Sequence, residues 1–486
     1  MMFNSDEYLL LFLPCTVFLY FLLNRLRLSG ISKLWLVVAS FFFYGWSGTW
    51  YLPLLAGSIL FNFSIGNVLS RSTARNGSTR RPLLVIAIAV NIVLLAYCKY
   101  TGFLLTNINY LVPTSFSLRY VALPLGISFF TFTQLSYLVD MYRNPSRPHK
   151  LLDYSLFVSF FPYLIAGPIP RRTEIMPQLK RIRDAVPNYH NLLVGLCLLF
   201  VGLIKKVLIA DHLAEWSANG FDVLSHPDFL QAWAASLSYT FQIYFDFSGY
   251  TDIALGSALM FNIRLPLNFN SPYKALNIQD FWRRWHITLS RFLRDYVYIP
   301  LGGNRAGESR VCLNLMATFL ICGMWHGAGW TFLFWGFLHG SAIIVHRLWE
   351  KTGRQLPVWL AWLVTFNFVN AAWVFFRARA WKDAVKVVAG MGGLNGVVFF
   401  DILQSKRMAV LRAAGIRFMQ WNEIMKGGRD VYVYIVAAFG ICLLLRNSNR
   451  LLDEYKPDWK VLFVMAVGAY AMLNMEKLTE FLYFNF

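Results

Sequence analysis

The chain has 486 residues, 57% of them hydrophobic and 14% charged, where a soluble domain carries roughly a quarter charged residues. A water-soluble fold is excluded, and the outer surface is left to face lipid. The 45 Lys and Arg exceed the 25 Asp and Glu, for a formal charge of +20, but they gather in short loops between apolar runs, which marks cytoplasm-facing connections and not a nucleic-acid partner.

The start, Met1 to Glu7, is acidic and no small-residue cleavage site follows, so Tyr8 to Leu23 is predicted to be a retained first span, not a signal peptide. Apolar runs around 34–50 and 53–70 come next, preceded by Arg25, Arg27 and Lys33 and followed by the acid-free stretch Arg71 to Arg81. The positive-inside rule puts both basic loops in the cytoplasm. Spans near 83–98 and 121–141 lead to a third basic stretch, Arg143 to Lys150. Leu151 to Ala166 has basic residues on both sides and ends in Gly167-Pro168-Ile169-Pro170. It is too short to cross and is predicted to be re-entrant or interfacial.

Asn191 to Ala210 crosses next, and residues 211–228, acidic and free of Lys and Arg, are expected to form an outward-facing connection before the long run Phe229 to Phe261. Further apolar runs lie near 311–325, 328–345, 357–376, 431–445 and 460–475. Within 390–430, Gly390 to Gly396 breaks any helix, and Lys406, Arg407, Arg412, Arg417 and Lys426 then alternate with apolar residues. Either an interfacial amphipathic helix or a folded surface loop fits that stretch. No repeat of fixed period is present. The pattern describes one all-α polytopic membrane domain over residues 1–486, with about nine to twelve spanning helices plus re-entrant or interfacial ones. The six cysteines stand singly, with no C-x-x-C pair and no metal-ligand spacing, and read as buried thiols.

His326 stands in Gly323-Met-Trp-His-Gly-Ala-Gly-Trp330, between apolar legs bounded by Arg310 and Arg347. If the turn is re-entrant, His326 lies deep in the membrane; if the legs cross fully, it lies near the far surface. An ionisable group within a bilayer is a functional candidate by default, and a neutral imidazole there has the properties of a general base. A core histidine bonded to a backbone carbonyl would look the same in sequence. His286 lies in Phe281 to Tyr296, where Arg283, Arg284, Arg291 and Arg294 alternate with aromatic and apolar residues, as in an interfacial or re-entrant helix. Those arginines suit either the phosphates of a cofactor or anionic lipid. Asp246, with Ser248 two residues on, is a carboxylate in an apolar segment that orients a histidine, holds a loop or pairs with an arginine. His339 and His346 give no metal-site spacing and read as packing and a helix-end residue. Nucleotide-binding loops and serine-nucleophile elbows are absent, which leaves any acyl chemistry to histidine.

Taken together, Tyr163-Leu-Ile-Ala-Gly-Pro-Ile169, Tyr244-Phe-Asp-Phe-Ser-Gly-Tyr250, Asn268-Phe-Asn-Ser-Pro-Tyr273, Phe281-Trp-Arg-Arg-Trp-His-Ile-Thr-Leu-Ser290, Tyr298-Ile-Pro-Leu-Gly-Gly-Asn304 and Gly323-Met-Trp-His-Gly327 resemble the membrane-bound O-acyltransferase family. The likeness is strongest to its bacterial polysaccharide O-acetyltransferase branch. The resemblance implies a multi-pass helical protein of the bacterial inner membrane, surrounded by its lipids and built around a central funnel. It makes His326 the catalytic histidine and His286 the second motif residue; Asp246, Ser248, Arg283, Arg284, Trp285 and Trp325 are further candidates for binding substrate. It also implies no permanently bound cofactor, acetyl-CoA as the cytoplasmic acyl donor, a periplasmic acetyltransferase partner and an exopolysaccharide, alginate first, as final acceptor. Other members move fatty acyl groups or D-alanine, and cellulose or teichoic acid are alternative polymers. The non-enzymatic rivals are a polysaccharide or lipid transporter and an assembly scaffold. A transporter is disfavoured by the absence of matching halves with paired broken helices.

Overall fold

A computed structural model of the chain describes residues 1–71, 77–112, 123–145, 148–305, 307–400, 416–419, 425, 427–450, 458–475 and 481–482. The described residues are overwhelmingly helical, as expected. Among the described residues, five helices are long and apolar enough to cross a membrane: Glu7–Arg25, Thr49–Arg71, Thr79–Leu111, Tyr189–Val223 and Val358–Arg377. Ser29–Gly45 and Trp459–Leu473 are apolar but shorter. Phe18, Val93, Val364 and Trp459 on these outer helices are exposed, as side chains facing lipid must be.

Helix Phe229–Met260 forms the centre. Asp228 starts it with a reciprocal cap, its carboxylate accepting from the Gln231 amide and the Gln231 side chain accepting from the Asp228 amide, both at 3.0 Å. Every residue from Ser238 to Phe261 is buried, the condition of a helix enclosed by others on all sides. Helix Tyr189–Leu203 lies directly along it, at a seam where glycines face each other. A Cβ on Gly256 would stand 2.3 Å from the Gly195 carbonyl oxygen, and one on Gly202 would stand 2.5 Å from that of Gly249. Small residues at such a seam let two backbones touch, which is how helices associate where lipid offers no hydrophobic drive.

Leu151 to Ala166 is not one continuous span. Helix Leu151–Ser159 stops at Phe160 and restarts as Phe161–Leu164, because Pro162 has no N–H to continue the ladder. The first piece rises only about 13 Å, and residues 156–170 are all buried within the bundle. Elsewhere the chain departs from expectation. The span placed at 83–98 is part of a 35-residue helix, Gly77–Leu111, that runs straight through Lys99. The connection placed at 211–228 is helical as far as Val223, and Asp222 there pairs with Arg377 at 2.6 Å. In 390–430, residues 401–415, 420–424 and 426 lie outside the described residues. The remainder contains two short strands, Val398–Phe400 and Arg417–Met419, paired in parallel. Cys197, Cys322 and Cys442 are buried as expected, whereas Cys15 is exposed on the outer apolar face.

Candidate active site

Helices Glu308–His326 and Trp330–Glu350 form a tight antiparallel hairpin closed by Gly327-Ala328-Gly329. A Cβ on Gly323 would come within 2.3 Å of the Phe332 carbonyl oxygen, and one on Gly336 within 2.4 Å of that of Phe319. Backbone cannot yield as a side chain can, so Gly323→Ala is expected to destabilise the protein by about 1–3 kcal/mol. That loss would be read as a lower melting temperature in detergent, and an unchanged value would show the legs free to part. The legs rise about 28 and 31 Å, close to the ~30 Å of a hydrocarbon core. His326 stands about 24 Å along its helix from Arg310, and its neighbour Lys99 about 27 Å from Arg81. Both rulers place the histidine at the end of its helix away from Arg310 and Arg81.

His326 is 2% exposed. Its ring is enclosed by Trp325, Trp335 and Phe376, with centroids 4.9, 5.2 and 5.1 Å away, each near perpendicular. The His286 ring lies 6.5 Å from it, with Trp325 touching both. Two distant stretches of sequence thus meet at one buried point.

The expected single helix over 281–296 is broken at His286. Helices Ile278–Arg284 and Ile287–Leu293 flank it, and His286 itself has φ 41° and ψ 54°, a left-handed conformation uncommon outside glycine. Asn268 holds it there. The Asn268 Oδ1 atom meets the Thr288 amide at 3.3 Å, the Thr288 hydroxyl at 2.9 Å and His286 Nδ1 at 3.0 Å. An amide N–H can only donate, so the atom it meets must be the oxygen. That oxygen can only accept, so the neutral His286 carries its hydrogen on Nδ1 and leaves Nε2 as the acceptor nitrogen. The Thr288 hydroxyl in turn accepts from the Ile169 amide at 3.0 Å, tying the histidine to the Gly167-Pro168 segment.

Trp285 is fully buried, stacked on Phe281 and leaning on Trp373 at 5.0 Å. His339, read as packing, is also hydrogen-bonded: the Trp282 indole donates to its Nδ1 at 3.2 Å. Its own hydrogen is therefore on Nε2. Buried donors without a hydrogen-bond partner among the described residues collect here, at Trp325 Nε1, Trp335 Nε1, His339 Nε2 and Asn268 Nδ2. Unpaired buried donors are costly and call for an explanation, and a bound substrate rich in oxygen acceptors supplies one.

The remaining candidates lie elsewhere. Arg283 is exposed, and Arg284 pairs with Asp280 at 2.8 Å on its own helix. Asp246 gives one oxygen to Lys206 at 2.7 Å and the other to the Leu482 amide at 3.0 Å. On that helix it is Phe247, not Asp246, that touches His286. Ser248 is buried beside it with no hydrogen-bond partner among the described residues. Lys99 and Tyr100, which the sequence did not single out, reach the end of the His326 helix. The Lys99 ammonium donates to the carbonyls of Trp325 and His326, the latter at 3.0 Å, and the Tyr100 hydroxyl to that of Met324.

Two histidines thus lie buried side by side in a helical bundle, with unpaired donors on the rings around them. Residues 38–380 match the membrane-bound O-acyltransferase family, MBOAT, and the chain belongs to it. It is therefore an O-acyltransferase, and the transporter and scaffold readings fall away. Over its whole length it is 44% identical to the peptidoglycan O-acetyltransferase of Helicobacter pylori, covering 98% of that protein. It is 39% identical to a probable alginate O-acetylase, AlgI, of Pseudomonas putida, with both chains covered in full. A teichoic acid D-alanyltransferase of Bacillus subtilis is 28% identical over 52% of this chain and 69% of its own.

Proposed function

We propose that this O-acyltransferase takes acetyl groups from acetyl-CoA at the basic, cytoplasmic face of the bacterial inner membrane and delivers them to hydroxyl groups of a cell-envelope polysaccharide on the other side. His326 is the general base. It removes the proton of the acceptor hydroxyl as that oxygen attacks the thioester carbonyl. The tetrahedral adduct then expels the CoA thiolate, which takes the proton back from the imidazolium. His286, its tautomer held by Asn268, lies beside the base and positions the donor or acceptor, and the unpaired indole and imidazole donors stabilise the oxyanion. The enclosing aromatic rings keep competing water out. The observation that carries this reading is the pairing of His326 and His286 at 6.5 Å inside a wholly buried aromatic shell.

Peptidoglycan is the polymer favoured, because the full-length identity is 44% to a peptidoglycan O-acetyltransferase against 39% to an alginate O-acetylase. The alginate reading rests on that second full-length match. The hydroxyl acetylated directly belongs to the sugar or to a periplasmic acetyltransferase that completes delivery. Deleting the protein is expected to remove most O-acetyl groups from muropeptides released from purified cell wall, and re-expression to restore them. Unchanged muropeptides with acetate lost from a secreted polymer would instead support the alginate reading.

A further inference from the structure

We infer that Lys99 and Tyr100 are positioning residues for His326, clamping the carbonyl end of its helix from a separate helix so that the imidazole is fixed against the reacting groups. The inference rests on the reading of His326 as the general base. The last carbonyls of any helix have no donor within the helix and carry the negative end of its dipole. At a surface, water satisfies them. Here Trp325, His326 and Gly327 at the helix end are buried, and side chains of helix Gly77–Leu111 donate to three consecutive carbonyls, Met324, Trp325 and His326. An ammonium suits such a helix end by charge as well as by hydrogen bonding. The Lys99 Nζ atom also stands 5.9 Å from the Trp325 ring, on the residue that touches both histidines.

The same helix grips the other side of the turn. Asn107 Oδ1 accepts from the Trp330 indole at 3.0 Å, and the Phe103 ring lies 5.8 Å from that of Trp330. Lys99, Phe103 and Asn107 are spaced four apart, so they form one face. One ridge of one helix therefore holds both ends of the Gly327-Ala328-Gly329 turn, and with it the base. Glycines alone would leave that turn free to move, and a misplacement of about 1 Å costs on the order of 100-fold in rate.

Initial rates of acetyl incorporation by membranes containing the protein, supplied with labelled acetyl-CoA over a range of concentrations and their own polymer, test the clamp. Lys99→Met is expected to lower kcat by about 100-fold, with KM for acetyl-CoA within about twofold. Lys99→Arg, which keeps a cationic donor, should regain about tenfold of the loss, and Tyr100→Phe should lower kcat by about three- to tenfold. If Lys99→Met fails to accumulate, Lys99→Arg and Tyr100→Phe carry the same comparison. Wild-type kcat in these variants while His326→Ala is inactive would overturn the clamp and leave the base assignment standing. A raised KM with unchanged kcat would also overturn it, since Lys99 would then hold substrate. Activity persisting in His326→Ala would overturn the base assignment, and the clamp with it.

Discussion

Replacing His326 with alanine is expected to lower acetyl transfer by about 1,000-fold, the usual worth of a general base, with the protein still folded. The expectation follows from where the ring sits. It is 2% exposed, next to a second histidine of fixed tautomer, and surrounded by aromatic rings that offer no other base. Because alanine also leaves a cavity among Trp325, Trp335 and Phe376, His326→Asn serves as the companion variant of nearer volume. Both should fall together in initial rate. A loss seen in alanine but not in asparagine would assign the effect to packing and remove His326 from the chemistry.

The second large effect is on stability. Lys206→Met is expected to destabilise the protein by about 3–5 kcal/mol, because it strips the cation from Asp246, whose side chain is 3% exposed and whose other bond is to the Leu482 amide. Asp246→Leu should be milder, since Lys206 keeps Asp211 at 3.0 Å. The double variant Lys206→Met/Asp246→Leu removes the buried carboxylate and takes Lys206 only from Asp211, whose side chain is 18% exposed, so it should recover most of the loss. Denaturation in detergent measures all three. A double variant no more stable than Lys206→Met alone would show that the pair matters through something other than isolated charge. If Asp246 acted in catalysis, the double variant would be stable and inactive; the ion pair predicts that it is stable and active.

How far the sequence revealed this site depended on whether a residue's face could be read. His326 and His286 were marked by their surroundings, a glycine turn and an arginine-aromatic run, and they meet in the structure. Arg283 and Arg284 were singled out by type alone. Ile278, Phe281, Trp282 and Trp285 recur at helical spacing and occupy the inner face, which turns the two arginines outward; that periodicity was present in the sequence. Asp246 is adjacent to Phe247 in the chain but about 100° round the helix from it, and only a three-dimensional neighbour, Lys206, shows which way it points. In the sequence, Lys99 is a charge after an apolar run, which looks like the end of a span. It is instead a charge satisfied by carbonyls from another helix, a pairing more than 220 residues away in sequence. His339 gave a quieter signal, lying four residues after Trp335 and so on the same face. The overall helical architecture needed less information, because apolar runs between basic loops are set by the membrane itself.

The proposed reaction carries acetyl groups from acetyl-CoA on the basic side of the membrane, through His326, to esters on a polymer beyond it. The most direct measurement uses membrane vesicles with the cytoplasmic face outward, supplied externally with acetyl-CoA labelled in the acetyl group. Polymer enclosed in the vesicles should acquire label released by mild base when the wild-type protein is present, and next to none with His326→Ala. Equal ester labelling in both, or label confined to free acetate, would contradict the account.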